Sequence, residues 1–460
     1  MVMSTSAAPS LSAYLSKMQE TLRLAIPIIA GQVGMILMGF FDTVQIGGLG
    51  HEYIAGSGFG HNVFWLINLF GIGILFSVST LVSEAKGENQ EWKAIAIYQS
   101  GMHIALILSG VFMVVTVACM QFIDVFRQAQ VVNDIALRYL WVLLPSILFM
   151  YVFTVCKQFV DGLGRTTVGM YITLAGLVVN VFLNWVLIYG NLGMPRLEVH
   201  GAALATTITR AFMMSAFLAY ISFDRSIGLL GKEAARQQHR LEKKSYVRPV
   251  LKLGIPSGLQ FFFEVAAFQI AHFMSGWIGV RELSAHGIAI GLASITFMIL
   301  GGLSAAGSIL TGYAYGARNR NEIKMAGTTV FVMTIFVELV FALIFIVFRD
   351  RLPLLYTRDT EVIMLASNMI LLAAFFQVSD GLQAAAVGAL RGIQDVKIPM
   401  CIALVSYWGI MIPACYLLAF RWEMGLTGIW VGFIFGLSAA ALLLLTRFWY
   451  MVSRVRFEEV

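Results

Sequence analysis

Apolar residues run unbroken along most of this chain, and polar residues gather in short clusters between the runs. Four stretches, 94–123, 167–195, 283–317 and 398–420, contain no Asp, Glu, Lys or Arg. The runs do not alternate with period two, which excludes the strands of a membrane β-barrel. A spanning helix needs about 20 apolar residues, and each run supplies them. Charges and turns divide the chain into twelve predicted helices: 16–46, 53–82, 93–122, 136–158, 167–189, 200–222, 249–274, 283–312, 323–348, 361–388, 397–419 and 425–448. The one strongly polar interval between them, 223–252, falls near the middle.

The two halves repeat. LRLAIP at 22–27 matches LKLGIP at 251–256, and SEAKG at 83–87 matches GYAYG at 312–316, both at an offset of 229. EVHG at 198–201 then aligns with GLTG at 425–428, at 227. Six helices followed by six more in the same order predict parallel repeats about an axis along the membrane normal, enclosing a central cleft. The predicted organisation is a six-helix bundle over 1–222, a linker over 223–248, and a second six-helix bundle over 249–460.

Composition fits this reading. Of 460 residues, 59% are hydrophobic and 12% are charged, about half the charge of a soluble globular chain. The expected fold class is therefore an all-α polytopic membrane protein. Net charge is +6, which in a membrane chain encodes orientation rather than nucleic-acid binding. With both termini inside, the inner segments hold 22 Lys and Arg and the outer segments 8, with Arg210 inside a span. That bias predicts cytoplasmic termini and a cytoplasmic linker. The four cysteines, Cys119, Cys156, Cys401 and Cys415, sit in apolar runs without metal spacing and read as reduced packing residues.

Ionisable residues inside the spans carry the functional signal, because each opposes insertion by roughly 2.5–3.5 kcal/mol at a helix centre. Asp42 lies in GFFDTVQIGG of the first span. Asn180 and Asn184 stand at i, i+4 on one face of the fifth, where they can accept a cation, hydrogen-bond a carboxyl, or hold helices together. Glu264 and Asp380 lie in the seventh and tenth spans. Two carboxylates near mid-membrane share a proton, hold a cation such as Na⁺, or stay protonated and structural. Glu338 in the ninth span has no polar sequence neighbour and is expected at a bundle seam or facing lipid headgroups. Arg210 either pairs with a carboxylate or snorkels.

Pro27 and Pro256 interrupt the first and seventh helices at equivalent repeat positions and are the expected hinges. The 23 Met and 34 Phe suit a soft cavity wall. Met35, Met38, Gln260 and Phe376 are the residues expected to line a substrate cleft. Signals for soluble chemistry are missing: there is no G-x-x-x-x-G-K-S/T, the nearest string being SIGLLGKE at 226–233, and no HExxH or GxSxG. The chain is not expected to be an enzyme or to need a cofactor.

With these strings in hand, the chain resembles the multidrug and toxic compound extrusion (MATE) family in its NorM-like bacterial branch. The resemblance spans about 17–450 and rests on LAIPIIAGQV and GFFDT, FVDGLGRT, NVFLNWVLIYGNLGMP, LGIP and FFFEV, SAHGIAI, and DGLQAAAVGALRGIQD. It implies two six-helix bundles about a V-shaped cleft. It implies secondary efflux of cationic, amphipathic compounds against inward Na⁺ or H⁺ by alternating access, in a bacterial inner membrane, as a monomer. It assigns Asp42, Asn180 and Asn184 to a first coupling site and Glu264 and Asp380 to a second. One departure is Phe376, four residues before Asp380, where the NorM-like pattern can carry a tyrosine. The rival expectation is a dedicated exporter or flippase for one metabolite or lipid-linked precursor within the same superfamily.

Overall fold

The structure is a computed structural model, and it describes residues 10–126, 128–236 and 245–454. Among them the chain is almost entirely helical. The spanning helices are α1 (Leu11–Gly47), α2 (His51–Gly87), α3 (Trp92–Gln121), α4 (Gln130–Gly162), α5 (Thr166–Tyr189), α6 (Glu198–Phe223), α7 (Val247–Ile278), α8 (Val280–Gly316), α9 (Arg320–Phe348), α10 (Thr360–Gly392), α11 (Lys397–Arg421) and α12 (Gly425–Arg454). Eleven are long and apolar enough to cross a membrane, and α4 makes a twelfth as one bent span. All twelve predicted helices are present, with ends extended by a few residues where polar side chains continue the helix beyond the apolar run.

Three spans depart from a continuous straight α-helix. In α4 the axis bends by 54° between Gln130–Leu143 and Ser146–Gly162, where Pro145 lacks the N–H that would continue the ladder. A break at Phe76 divides α2. Within α11 the backbone widens to π geometry over Leu404–Met411 and Leu417–Arg421. The polar interval is more than a linker, because Arg225–Arg236 forms an amphipathic helix that buries Ile227 and Ala234 and exposes Lys232 and Arg236. The centre of the predicted linker, 237–244, lies outside the described residues.

Contacts divide the chain into two compact units, one of Ala30–Phe262 and one of Met1–Ile29 with Phe263–Val460. The divisions fall inside α1 and α7, a few residues beyond Pro27 and Pro256, rather than in the polar interval. Packing within each unit explains this. In the first unit, the Gly254-x-x-x-Gly258 motif of α7 lies directly on α2. A Cβ at Gly254 would stand 2.5 Å from the Ile74 carbonyl oxygen, and one at Gly258 would stand 2.7 Å from that of Phe70. Small residues permit such backbone approach in membrane helices. In the second unit, Gly302 of α8 faces Ile29 and Ala25 of α1. At the 229 offset Gly73 of α2 is the counterpart of Gly302, and Ala25 and Ile29 are the counterparts of Gly254 and Gly258. Each proline is therefore embedded in a close helix–helix contact.

The same register recurs elsewhere. With a slip of one residue, a Cβ at Gly162 or at Gly392, 230 residues on, would stand 2.7 Å from the carbonyl oxygen of Ser79 or Ser308 respectively. Gly101 opposes Val78 in one unit, and in the other the sizes are exchanged, Val330 opposing Gly307. Each unit also carries an ion pair outside that register: Arg165 meets Asp224 at 2.9 Å, and Asp395 meets Arg447 of α12 at 2.6 Å. Arg165 Nη1 and the Ser226 hydroxyl both donate to the Asp224 carboxylate, which lies outside the spans and is held below the usual carboxylate range. Side-chain caps start α9 and α10, Asn319 accepting from Glu322 N–H and Asp359 from Glu361 and Val362 N–H. Gly428, Gly432 and Gly436 of α12 lie against Ala419, Cys415 and Met411 of α11, so they serve close packing.

Candidate functional site

The acidic residues fall into two clusters, one in each unit. In the first unit, α1 presents Asp42 to α5 and α6. Asn184 Nδ2 donates to Asp42 Oδ1, and also to Asn180 Oδ1 at 3.4 Å. Thr206 Oγ1 donates to Asp42 Oδ2 at 3.5 Å. Asn180 and Asn184 are both fully buried, and their i, i+4 spacing puts them on one helical face. The geometry brings these three predicted residues together and adds Thr206, which a sequence of threonines in TTITR gave no reason to single out. Arg210, one helical turn further along α6, turns inward: its Nη1 donates to Ser146 Oγ at 2.7 Å, and its guanidinium lies 4.9 Å from the Phe64 ring centre. It interacts electrostatically with Asp42. A carboxylate with amide and hydroxyl neighbours and a buried guanidinium in range can exchange a proton or a cation while staying ordered.

The second unit gathers Glu264 of α7 with Asp380 and Gln383 of α10. Gln383 Nε2 donates to Glu264 Oε2 at 3.4 Å. Glu264 and Asp380 are 6% and 7% exposed and interact electrostatically. Asp380 Oδ1 has no hydrogen-bond partner. Thr296 of α8 donates to Gln377 Oε1 at 2.7 Å, which fixes the helix turn just before Asp380. Among the described residues no group of three or more His, Cys, Asp or Glu is close enough to hold a metal ion. An ion at this site would therefore draw on amide, hydroxyl or backbone oxygens besides the two carboxylates.

Glu338 is not at a headgroup. It is fully buried on α9 against α10, with both carboxylate oxygens unpartnered. Its place was open in the sequence because its immediate chain neighbours are apolar; its polar company is Thr334 one turn earlier on α9 and Asp380 across the helix interface.

The four residues expected to line a cleft are divided between the units. Met35, Met38 and Gln260 belong to the first unit and Phe376 to the second. Met35 is 43% exposed, whereas Met38, Gln260 and Phe376 are buried. Phe376 packs among Trp430 and Phe433, with ring centres 5.5 and 6.4 Å away. Its place is a core aromatic cluster.

Comparisons with known proteins agree with this geometry. The MatE family model matches the chain twice, over residues 27–186 and 256–417, and the two matches start 229 residues apart. The chain is 34% identical over 456 residues to the probable multidrug resistance protein NorM of Rhizobium meliloti, covering 95% of this chain and 94% of that one. It is 30% identical over 438 residues to the multidrug resistance protein NorM of Photobacterium profundum, covering 94% and 95%. Its fold is similar to that of the eukaryotic MATE transporter AtDTX14, with a TM-score of 0.85 at 21% identity over 96% of this chain and 97% of that one. It is similar again to a MOP superfamily transporter from Pyrococcus furiosus, with a TM-score of 0.83 at 20% identity over 95% and 96%. Two matches to one family model and near-full-length relatives lead to one conclusion: the chain belongs to the MatE family of transporters, within its NorM-like branch.

Proposed function

We propose that this protein is a cation-coupled multidrug exporter of a bacterial inner membrane, with both termini cytoplasmic. It moves cationic, amphipathic compounds outward against inward Na⁺ or H⁺, as a monomer working by alternating access. The observation that carries this reading is Asp380, a buried carboxylate beside Glu264 with one oxygen unpartnered. An uncompensated buried charge costs several kcal/mol, so such a carboxyl is stable when it has taken up a small cation. A cation that binds one arrangement of the helices better than another shifts their populations by that difference alone. Asp42 supplies a second exchangeable carboxylate, tied to Asn184 and Thr206. The multidrug resistance proteins among the relatives support the substrate class.

A second reading is a dedicated exporter or flippase for one metabolite or lipid-linked precursor, and buried Arg210 favours it by offering a cation to an anionic group. Everted vesicles decide between them. The multidrug reading predicts uptake of several unrelated cationic dyes and none of lipid-linked anions. Uptake of one anionic compound alone would overturn it.

A further inference from the structure

Glu338 has no role in the coupling scheme above, yet its surroundings are those of a ligand-binding group. Its side chain has no exposed surface, and neither Oε1 nor Oε2 has a hydrogen-bond partner. Thr334, one turn earlier on α9, is likewise buried with an unpartnered hydroxyl. Both press on the α10 backbone next to Asp380. A Cβ at Gly381 would stand 2.8 Å from Glu338 Cγ, 3.2 Å from its Oε1 and 2.9 Å from Thr334 Cγ2. Only glycine at 381 lets the Glu338 carboxyl lie this close to the helix that carries Asp380. The two carboxyls interact electrostatically, and Asp380 Oδ1 is also unpartnered. Glu264 of α7 and Tyr407 of α11 act on Asp380 from other helices, and Arg391 of α10 acts on Glu264.

The fold does not demand an acid at this position. At the 229 offset, which holds along these helices at Gly101 and Val330, the counterpart of Glu338 on α3 is Ser109. That serine donates to the Ala105 carbonyl of its own helix at 2.6 Å and leaves nothing unpaired. A buried carboxyl with unpartnered oxygens, where the repeat tolerates a satisfied serine, needs a ligand to offset its burial.

We propose that Glu338 is a third coupling carboxylate of this unit, and that it and Asp380 form one buried oxygen site for a small monovalent cation, H⁺ or Na⁺. The proposal rests on the coupling reading and adds a residue to it. Loading the site neutralises one charge at the α9–α10 interface, so the fit of these two helices depends on whether it is filled.

Purified Glu338→Gln in liposomes tests this, with ethidium as the probe and with H⁺ and Na⁺ gradients imposed separately. Ethidium binding should stay near the wild-type value. Export should fall roughly 5- to 150-fold, the range of an ordinary coupling free energy, in the arm driven by the ion the site takes. Glu338→Asp should restore part of it. Wild-type export by Glu338→Gln in both arms would overturn the proposal. Glu338→Met removes the oxygens at similar volume and takes the place of the amide variant if that variant does not assemble. Failure of both to assemble, with Glu338→Asp assembling normally, would make the carboxyl a folding requirement and also overturn it. Asp380→Asn run in parallel separates the two readings. If it exports like wild type, the coupling reading fails; if it stalls while Glu338→Gln exports normally, only the role of Glu338 fails.

Discussion

Replacing Gly258 with alanine tests the close contact that places the Pro256 segment of α7 on α2. The added methyl would stand 2.7 Å from the Phe70 carbonyl oxygen, against 3.4 Å for ordinary van der Waals contact, a shortfall of 0.7 Å. It would also meet the Phe70 ring at 3.0 and 3.1 Å. The oxygen belongs to a helix backbone, so no rotamer change relieves the clash, and α7 must move away from α2. Overpacking of this kind costs about 1–3 kcal/mol. Alanine's better helix propensity offsets at most about 1 kcal/mol of that. A net loss of roughly 1–2 kcal/mol should lower the thermal unfolding midpoint of the purified protein. Gly291→Ala on α8 is the control, since nothing lies within 4 Å of its added methyl, and its midpoint should hold or rise. Gly302→Ala should also lower the midpoint, because its methyl would meet Ile29 Cγ1 at 2.3 Å and the Ile29 amide nitrogen at 3.2 Å. Equal midpoints for Gly258→Ala and Gly291→Ala would refute the backbone contact and, with it, the reason given for a unit boundary inside α7.

The Asp224 carboxylate is held below its usual range by the Ser226 hydroxyl, the Ile227 amide and Arg165. A depressed carboxylate contributes stability that is present above its unfolded value and lost as pH falls, so the wild-type midpoint should drop below about pH 4. Asp224→Asn should flatten that part of the pH profile, and an unchanged profile would contradict the clamp. Pro27→Ala should restore the missing ladder bond of α1 and slow export while ethidium binding persists; wild-type turnover would show that the proline is not a hinge. In a background lacking the four native cysteines, a membrane-impermeant thiol reagent applied to intact cells should label a cysteine at position 196 and miss one at position 232. The reverse pattern would invert the proposed orientation.

The spans were legible because a membrane helix announces itself by length and lack of charge, and α1 through α12 lie where the uncharged runs lie. The repeat was legible at its most constrained points, near Pro27 and Pro256, where proline and glycine fix the backbone. Its inverted details were not. The exchange of Val78 and Gly101 for Gly307 and Val330 keeps the volume of the contact while changing both residues that a string comparison scores. The site was legible as single residues rather than as clusters. Asp42, Asn184, Glu264 and Asp380 stand out because acids and amides are rare in spans, and two of the pairings among them follow. Thr206 and Thr334 did not stand out, since threonine is ordinary there. Phe376 was expected at a cleft because aromatic residues suit binding walls as well as cores, and its contacts with Trp430 and Phe433 were not legible in the sequence. The acids break the repeat symmetry. At the 229 offset Asp42 corresponds to Ala271, Glu264 to Met35 and Glu338 to Ser109, so the repeat that relates the helices does not relate the two sites.

Flux through the wild-type protein alone in liposomes tests the central claim most directly. Ethidium movement is followed with an H⁺ gradient, with a Na⁺ gradient, and with neither, at fixed membrane potential and without nucleotide. Cation coupling predicts ethidium export against its own gradient when one of the two cation gradients is imposed, abolished when an ionophore collapses it, and a measurable cation flux in the opposite direction. Export at the same rate with no cation gradient, or no counterflow of either cation, would contradict it.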